Sequence, residues 1–333
     1  MTQRINWIDW SKSLCMFFVI LGHTHLDDSG LMIKKIIYTF HMPLFFFISG
    51  ILCKDHLSRK TIMRDAKYIL IPYFFFGILS VIIPHPKSIN EVEAYLQNLI
   101  CGYNSSIGAI WFLPAIFICK QLGTVIISIQ RHIKWLYITL VALTFIPVLF
   151  LNNIDLPFFA SSAFCGLPYF LIGHIFIRYY QSRFSLQISN PSIVLIIIFA
   201  ISAFLSIYLA NKHEFVALAG HSYGDHVIIY YINAFSGIIS VITASILLNQ
   251  YQLHFVTVTA YGSISIIWTH GICLSFFHYY LFKMLHLEIT TYSITLALLF
   301  SILTYICCYY ITIICDKYYP YLFGLKGNLT KDQ

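Results

Sequence analysis

The chain has 333 residues, 59% hydrophobic and only 10% charged, against roughly 25% charged residues in a soluble domain. Its mean hydropathy of +0.78 excludes an ordinary water-soluble globule. A formal net charge of +7 does not call for nucleic acid, because a basic rim on the inner face of a membrane protein accounts for it.

Apolar runs recur along the whole length and leave no polar block large enough for a soluble domain, so a single all-α polytopic membrane bundle is expected. Ten transmembrane helices are predicted, near residues 6 to 26, 36 to 53, 68 to 83, 109 to 130, 135 to 151, 159 to 179, 193 to 210, 227 to 248, 258 to 280 and 291 to 315. Alternation of the kind that marks lipid-facing strands is absent. Residues 1–315 form the membrane domain in this reading, and 316–333 a short cytoplasmic tail.

The basic residues Arg4, Lys12, Lys54, Arg59, Lys60, Arg64, Lys67, Arg131, Lys134, Arg178, Arg183, Lys317, Lys326 and Lys331 collect on one side, against Lys34, Lys35, Lys87, Lys212 and Lys283 on the other, with Lys120 inside a span. By the positive-inside rule that places both termini in the cytoplasm. The first span is expected to be retained, since Asp9 and Lys12 interrupt it and no small-residue cleavage site follows. Nine cysteines show no metal-ligand spacing and read as small apolar packing residues; no metal is expected.

In chain order, the first informative stretch is "RINWIDWSKSLCMFFVILGHTH". Lys12 and His23 are eleven residues apart; at 100° per residue they fall within about 20° of one helix face, separated by about 16 Å along the axis. Asp9 lies about 40° to the other side. The three make a polar seam, which in a membrane helix should face a cavity rather than lipid. His25 points the other way unless the helix has already ended. A cation low on the seam and a base higher up suit a phosphorylated cytoplasmic donor meeting an acceptor deeper in the membrane.

Next comes "KDHLSRKTIMRDAK", rich in basic residues. It reads as an anchor beside anionic lipid or as a polyanion site. Two connections on the opposite side, "PHPKSINEVEAYLQNLICGYNSSIG" and "NKHEFVALAGHSYGDH", have the polar and aromatic content of carbohydrate contacts or of solvated loops. Apart from Asp9, no predicted span contains a carboxylate. A general base within the membrane must then be histidine, and His23, His25, His41, His174, His270 and His278 sit at the required depth.

These residues resemble the membrane-bound acyltransferase-3 family, whose members acylate surface sugars. Arg4, Asp9, Lys12 and His23 fit its opening pattern. "HMPLFFFISG", with His41, Pro43, Ser49 and Gly50, fits its second segment. Arg64 and Lys67 ahead of Pro72 and Tyr73 stand where the family has R-x-x-R before P-Y. Lysine in the second place keeps the charge but loses the planar fork for phosphate. "WFLPA" from Trp111, "LPYFLIGH" up to His174 and "YGSISIIWTHG" with His270 are similar to later segments. The chain looks most like the fucose 4-O-acetylase-like, stand-alone branch.

The resemblance implies an acetyl-CoA-dependent O-acetyltransferase of the bacterial cytoplasmic (inner) membrane. Acyl-CoA is the expected donor, with a polysaccharide or undecaprenyl-linked sugar as acceptor and membrane lipid as surroundings. His23 is the expected base or acyl carrier, with Lys12 and Asp9 on the same seam. Arg4, Lys12, Arg64, Lys67, Arg59 and Lys60 are expected to hold the donor's phosphates, and His41, Ser49, Trp111 and His270 to line the pocket. The residues taken by themselves fit equally a transporter or flippase of a lipid-linked sugar or small solute. Homo-oligomerisation stays open.

Overall fold

The computed structural model describes residues 4–54, 56–82, 88–102, 105–130, 133–152, 154–183, 193–285, 291–327 and 329. Arg131, Lys331 and part of the first predicted carbohydrate loop, "PHPKSINEVEAYLQNLICGYNSSIG", lie outside the described residues. Among those described the fold is all-α. In chain order the α-helices are α1 (Asn6–Gly22), α2 (Leu31–Ile51), α3 (Arg59–Asp65), α4 (Ile71–Ile82), α5 (Ile89–Cys101), α6 (Phe112–Ile129) and α7 (Lys134–Leu143). They continue with α8 (Pro147–Phe150), α9 (Ala160–Arg183), α10 (Ile193–Lys212), α11 (Val227–Leu247), α12 (His254–Tyr261), α13 (Ser263–Leu285) and α14 (Ile294–Tyr318).

The helices do not bear out the expected ten spans. Among the described residues six helical stretches are long and apolar enough to cross a membrane: Asp28–Ile51, Gly108–Ile129, Pro157–Tyr180, Ile193–Lys212, Val227–Leu247 and Ile294–Tyr318. A seventh results if α12 and α13, bent by 92° at their junction, count as one. Hydropathy measures apolar content and does not see where a helix breaks. The predicted span 68–83 is a π-helical turn at Ala66–Leu70 followed by the 12-residue α4. The span 135–151 is split between α7 and α8.

Helix α1 has 17 residues and lies against α2, α11, α12, α13 and α14. An interior position explains how a membrane helix tolerates its polar residues. Ser13 shares hydrogen bonds with Thr259 Oγ1 (2.9 Å) and the Tyr305 hydroxyl (2.7 Å), so the buried hydroxyls have partners. By contrast α10 is apolar all round and mostly exposed, as a lipid-facing helix should be.

Helices α2 and α9 cross at a pair of glycines. A Cβ on Gly50 would lie 1.8 Å from the carbonyl oxygen of Phe170, and one on Gly173 would lie 2.1 Å from that of Phe47. Only hydrogen fits at either place, and the two backbones approach closely because of it. The glycine of the "FISG" segment is thus a packing residue that fixes α2 against α9.

A candidate active site at the end of the first helix

Helix α1 stops at Gly22, and His23 is its C-cap, with its N–H bonded to Val19 and Ile20 carbonyls. Thr24 Oγ1 donates to the Leu21 carbonyl (2.6 Å) and closes the last turn. The chain then runs beside Tyr292: Tyr292 N donates to His25 O, and Asp27 N donates to Tyr292 O. Because the helix has ended, His25 comes round to the same cavity as His23 instead of pointing away.

His23 faces two cavities. The larger, about 570 Å³, is lined by His23, His25, His270, His278, Tyr292, Tyr279, Trp268, Ser80 and Ser275 among others. The smaller, about 170 Å³, is lined by His23, Tyr38, His41, Trp111, Phe112 and the backbone stretch Ala217 to Ala219. His23, Gly108, Ala109 and Ile267 belong to both walls. His23 is exposed although it lies inside the bundle, and the surface it shows is cavity wall. The larger volume is within the range of about 300–1,000 Å³ usual for small-molecule sites.

The His23 ring lies 5.0 Å from that of His270 and 6.2 Å from that of Tyr38, centroid to centroid; Tyr38 in turn is 5.0 Å from His41. His41 Nδ1 is 2.7 Å from the Ile37 carbonyl oxygen, and His270 Nδ1 is 2.8 Å from that of Ile266. A carbonyl only accepts, so each Nδ1 carries a proton, the rings are fixed, and Nε2 is left for the cavity side. Trp268 stacks on Phe76 (4.6 Å, interplanar 6°) and donates its indole N–H to Ser80 Oγ at 3.1 Å. It thereby presents an aromatic and polar wall to the larger cavity. Gly108 shapes the shared rim: its φ of +68° is a conformation that suits glycine, and a Cβ there would meet nothing within 4 Å.

Three of the expected pocket residues, His41, Trp111 and His270, therefore gather around His23. Ser49 does not. It sits eight residues beyond His41 along α2, about 12 Å toward the other end, next to the α9 crossing. Tyr38, Trp268, Ser80 and Tyr292 join the site without having been expected. Trp268 stands two residues before His270 in the "WTHG" stretch, which was the available signal.

Lys12 is not among the residues lining either cavity, and Met16 and Val19, both buried, fill the stripe between it and His23. The single wet seam expected from helix spacing is corrected to two polar ends with packed side chains between them. At the Lys12 end Asp9 is ion-paired with Arg4, whose Nη2 donates to the Thr257 carbonyl (2.7 Å). The charges close enough to act on Lys12 are Asp9, Arg4, Lys326 and Lys120. Lys120 and Arg64 both pair with Asp65, at 2.9 and 3.1 Å.

Of the other expected donor residues, Arg59, Lys60, Arg64 and Lys67 are exposed on α3 and the π-turn. Arg64 and Lys67 line an open apolar groove with Phe74 and Phe75, and Lys67 Nζ lies 3.7 Å from the Tyr321 ring centroid. The cations gathered around Lys12 are thus partly different from those expected. Lys120 and Lys326 were missed because they lie far along the chain from Lys12.

A second polar constellation stands beside the smaller cavity. His221 Nδ1 is 2.9 Å from Asp155 Oδ1, and its Nε2 is 3.0 Å from Ser162 Oγ, which also donates to the Leu218 carbonyl (3.2 Å). The order resembles a hydrolase triad, but Ser162 is wholly buried and lines neither cavity. The group fastens the 213–226 connection, whose Phe215 packs 5.0 Å from Tyr38. His221 holds a left-handed φ of +50°, so this turn is strained and these bonds keep it in place.

The profile of a family described as an acyltransferase domain matches residues 5–313. Two curated relatives are both called Nodulation protein NolL. The protein from Mesorhizobium japonicum is 28% identical over 42% of this chain and 41% of its own length. The one from Sinorhizobium fredii is 23% identical over 58% of this chain and 54% of its own. The chain thus spans about half the length of the curated relatives it matches. No solved structure matches it.

Proposed function

The chain belongs to the membrane-bound acyltransferase-3 family, and on that premise we propose that it moves an acyl group, acetyl first among the choices, from acyl-CoA to a hydroxyl of a surface polysaccharide or undecaprenyl-linked sugar. In this reading it works in the bacterial cytoplasmic (inner) membrane with the Lys12 end inside. The observation that supports it most is that His23 forms a wall common to both cavities while fixed imidazoles from α2 and α13 flank it.

The acceptor hydroxyl enters the larger cavity, where Trp268, Tyr292 and Ser80 offer the aromatic and hydrogen-bonding surface that a sugar needs. As its oxygen attacks the thioester carbonyl, the His23 imidazole takes the hydroxyl proton. The tetrahedral intermediate collapses, the carbon–sulfur bond breaks, and His23 returns the proton to the departing CoA thiolate. The products are the ester and free CoA.

Donor phosphates remain at the Lys12 end, held by cations that gain from an anion between them. The axial distance of about 16 Å between Lys12 and His23 suits an extended pantetheine chain. Met16 and Val19 close that path in this structure, and the unbranched Met16 side chain is the one that swings aside. The family match favours this chemistry over lipid-linked sugar transport. Purified protein in nanodiscs, given radiolabelled acetyl-CoA and a glycan acceptor, should yield labelled ester; acceptor movement across a bilayer without turnover would overturn the reading.

A further inference from the structure

Residues 320–327 belong to the stretch that reads in the sequence as a short cytoplasmic tail, yet they fold back onto the bundle. Asp316, in the last turn of α14, is 1% exposed. Its carboxylate accepts from the Tyr261 hydroxyl (2.7 Å) and from the backbone N–H groups of Gly327 and Leu329 (2.9 Å each). Among the described residues no lysine or arginine lies within ion-pair distance of it. A buried charge satisfied in this way is a costly means of fixing a chain.

The same segment is held at several further points. Tyr261 OH also accepts from Lys326 N, and Leu325 is wholly buried with its N–H on the Pro320 carbonyl (2.7 Å). Gly324 and Gly327, both at φ +69°, make the turns. Phe323 packs against Phe76 (5.2 Å), and Tyr321 sits under the Lys67 ammonium. The outcome of this anchoring is the position of one side chain. Lys326 is itself exposed, and its backbone N–H binds Tyr261 of α12, one helical turn from Thr257, whose carbonyl holds the Arg4 guanidinium of the Lys12 end. Asp9, at that end, is already engaged by Arg4. Lys120 is likewise paired with Asp65, whereas among the described residues no carboxylate lies within ion-pair distance of Lys12 or Lys326, and two such cations favour a bound anion.

We propose that residues 320–327, fixed by the Asp316 carboxylate, form one wall of the donor site and that Lys326 binds a phosphate group of acyl-CoA. This rests on the donor reading given above. Asp316 and Tyr261 act as positioning residues; Lys326 makes the contact.

The test measures CoA binding by calorimetry to the full chain in nanodiscs, for wild type and for Lys326→Ala, Lys326→Glu and Lys326→Arg, with amide exchange of residues 325–329 followed in parallel. Lys326→Ala should weaken CoA binding about 3- to 10-fold and Lys326→Glu further, as expected for loss or reversal of one charge-assisted contact. Lys326→Arg should restore it, and exchange should be unchanged in all three. Asp316→Asn should speed exchange of the Gly327 and Leu329 amides and weaken CoA binding together. Wild type that fails to bind CoA would overturn the donor reading itself. Wild type that binds CoA as tightly as Lys326→Glu would leave that reading standing and overturn this proposal.

Discussion

The His23 and His270 rings stand 5.0 Å apart, centroid to centroid, at an angle of 54°, one from the end of α1 and the other from the middle of α13. His270 is held by a backbone carbonyl through Nδ1, whereas His23 meets the space of both cavities. His270 is the fixed ring of the pair, and His23 the one open to both cavities.

His23→Ala should therefore lower kcat by about 10²- to 10⁴-fold, the range for loss of a general base, with an unchanged KM for acetyl-CoA. Steady-state kinetics at matched membrane abundance checks this. Wild-type turnover in the variant would remove His23 from the chemistry.

His270→Ala should cost less, about 10-fold in kcat, because it removes an orienting neighbour and leaves the base itself. The same assay ranks the two variants; equal losses would make His270 a direct participant.

Lys12→Ala should raise the KM for acetyl-CoA about 10-fold while kcat changes little, as for loss of one charge-assisted contact to the donor. Arg59→Ala and Lys60→Ala, exposed and absent from the charges that act on Lys12, should change it less than 2-fold. The reverse ranking would move the donor to the α3 surface.

Gly50→Ala should prevent the α2–α9 crossing, since the new methyl would lie 1.8 Å from the Phe170 carbonyl oxygen. Overpacking of this kind costs about 1–3 kcal/mol or more. Folded yield and melting temperature in detergent should both drop, and a variant as stable as wild type would refute the crossing geometry.

Burial holds the His221 imidazole below its ordinary value of 6.5, with Asp155 partly offsetting the effect. The unfolded chain then binds more protons than the folded one below pH 6.5, so His221's contribution to stability is present above that pH and is lost as the pH falls below it. Between pH 7.5 and 5.5 wild type should lose more melting temperature than His221→Gln does, by about 1–3 °C. Ser162→Ala should keep acyl transfer within about 2-fold, because Ser162 lines neither cavity. A loss as large as that of His23→Ala would make the triad catalytic.

The membrane character and the all-helical architecture were legible in the sequence, because apolar content and the absence of strand alternation are local properties that any neighbour leaves intact. His23, His41 and His270 were singled out through their short motifs, and the structure places all three on the walls of the two cavities. The ten spans are not confirmed: hydropathy continues through Ala66–Leu70 where the helix widens, and through Gly262 where it bends by 92° inside one predicted span.

What the sequence determined by itself was the set of polar groups in a chain otherwise fit for lipid, and their spacing along a single helix. The tertiary structure alone decided which of them meet: that Met16 and Val19 stand between Lys12 and His23, that Trp268 and Tyr292 wall the cavity, and that Asp316 fastens Gly327 and Leu329 to the end of α14. Helical periodicity fixes direction only around one axis. Contacts between remote helices depend on how whole faces pack, down to the two glycines that let α2 and α9 touch.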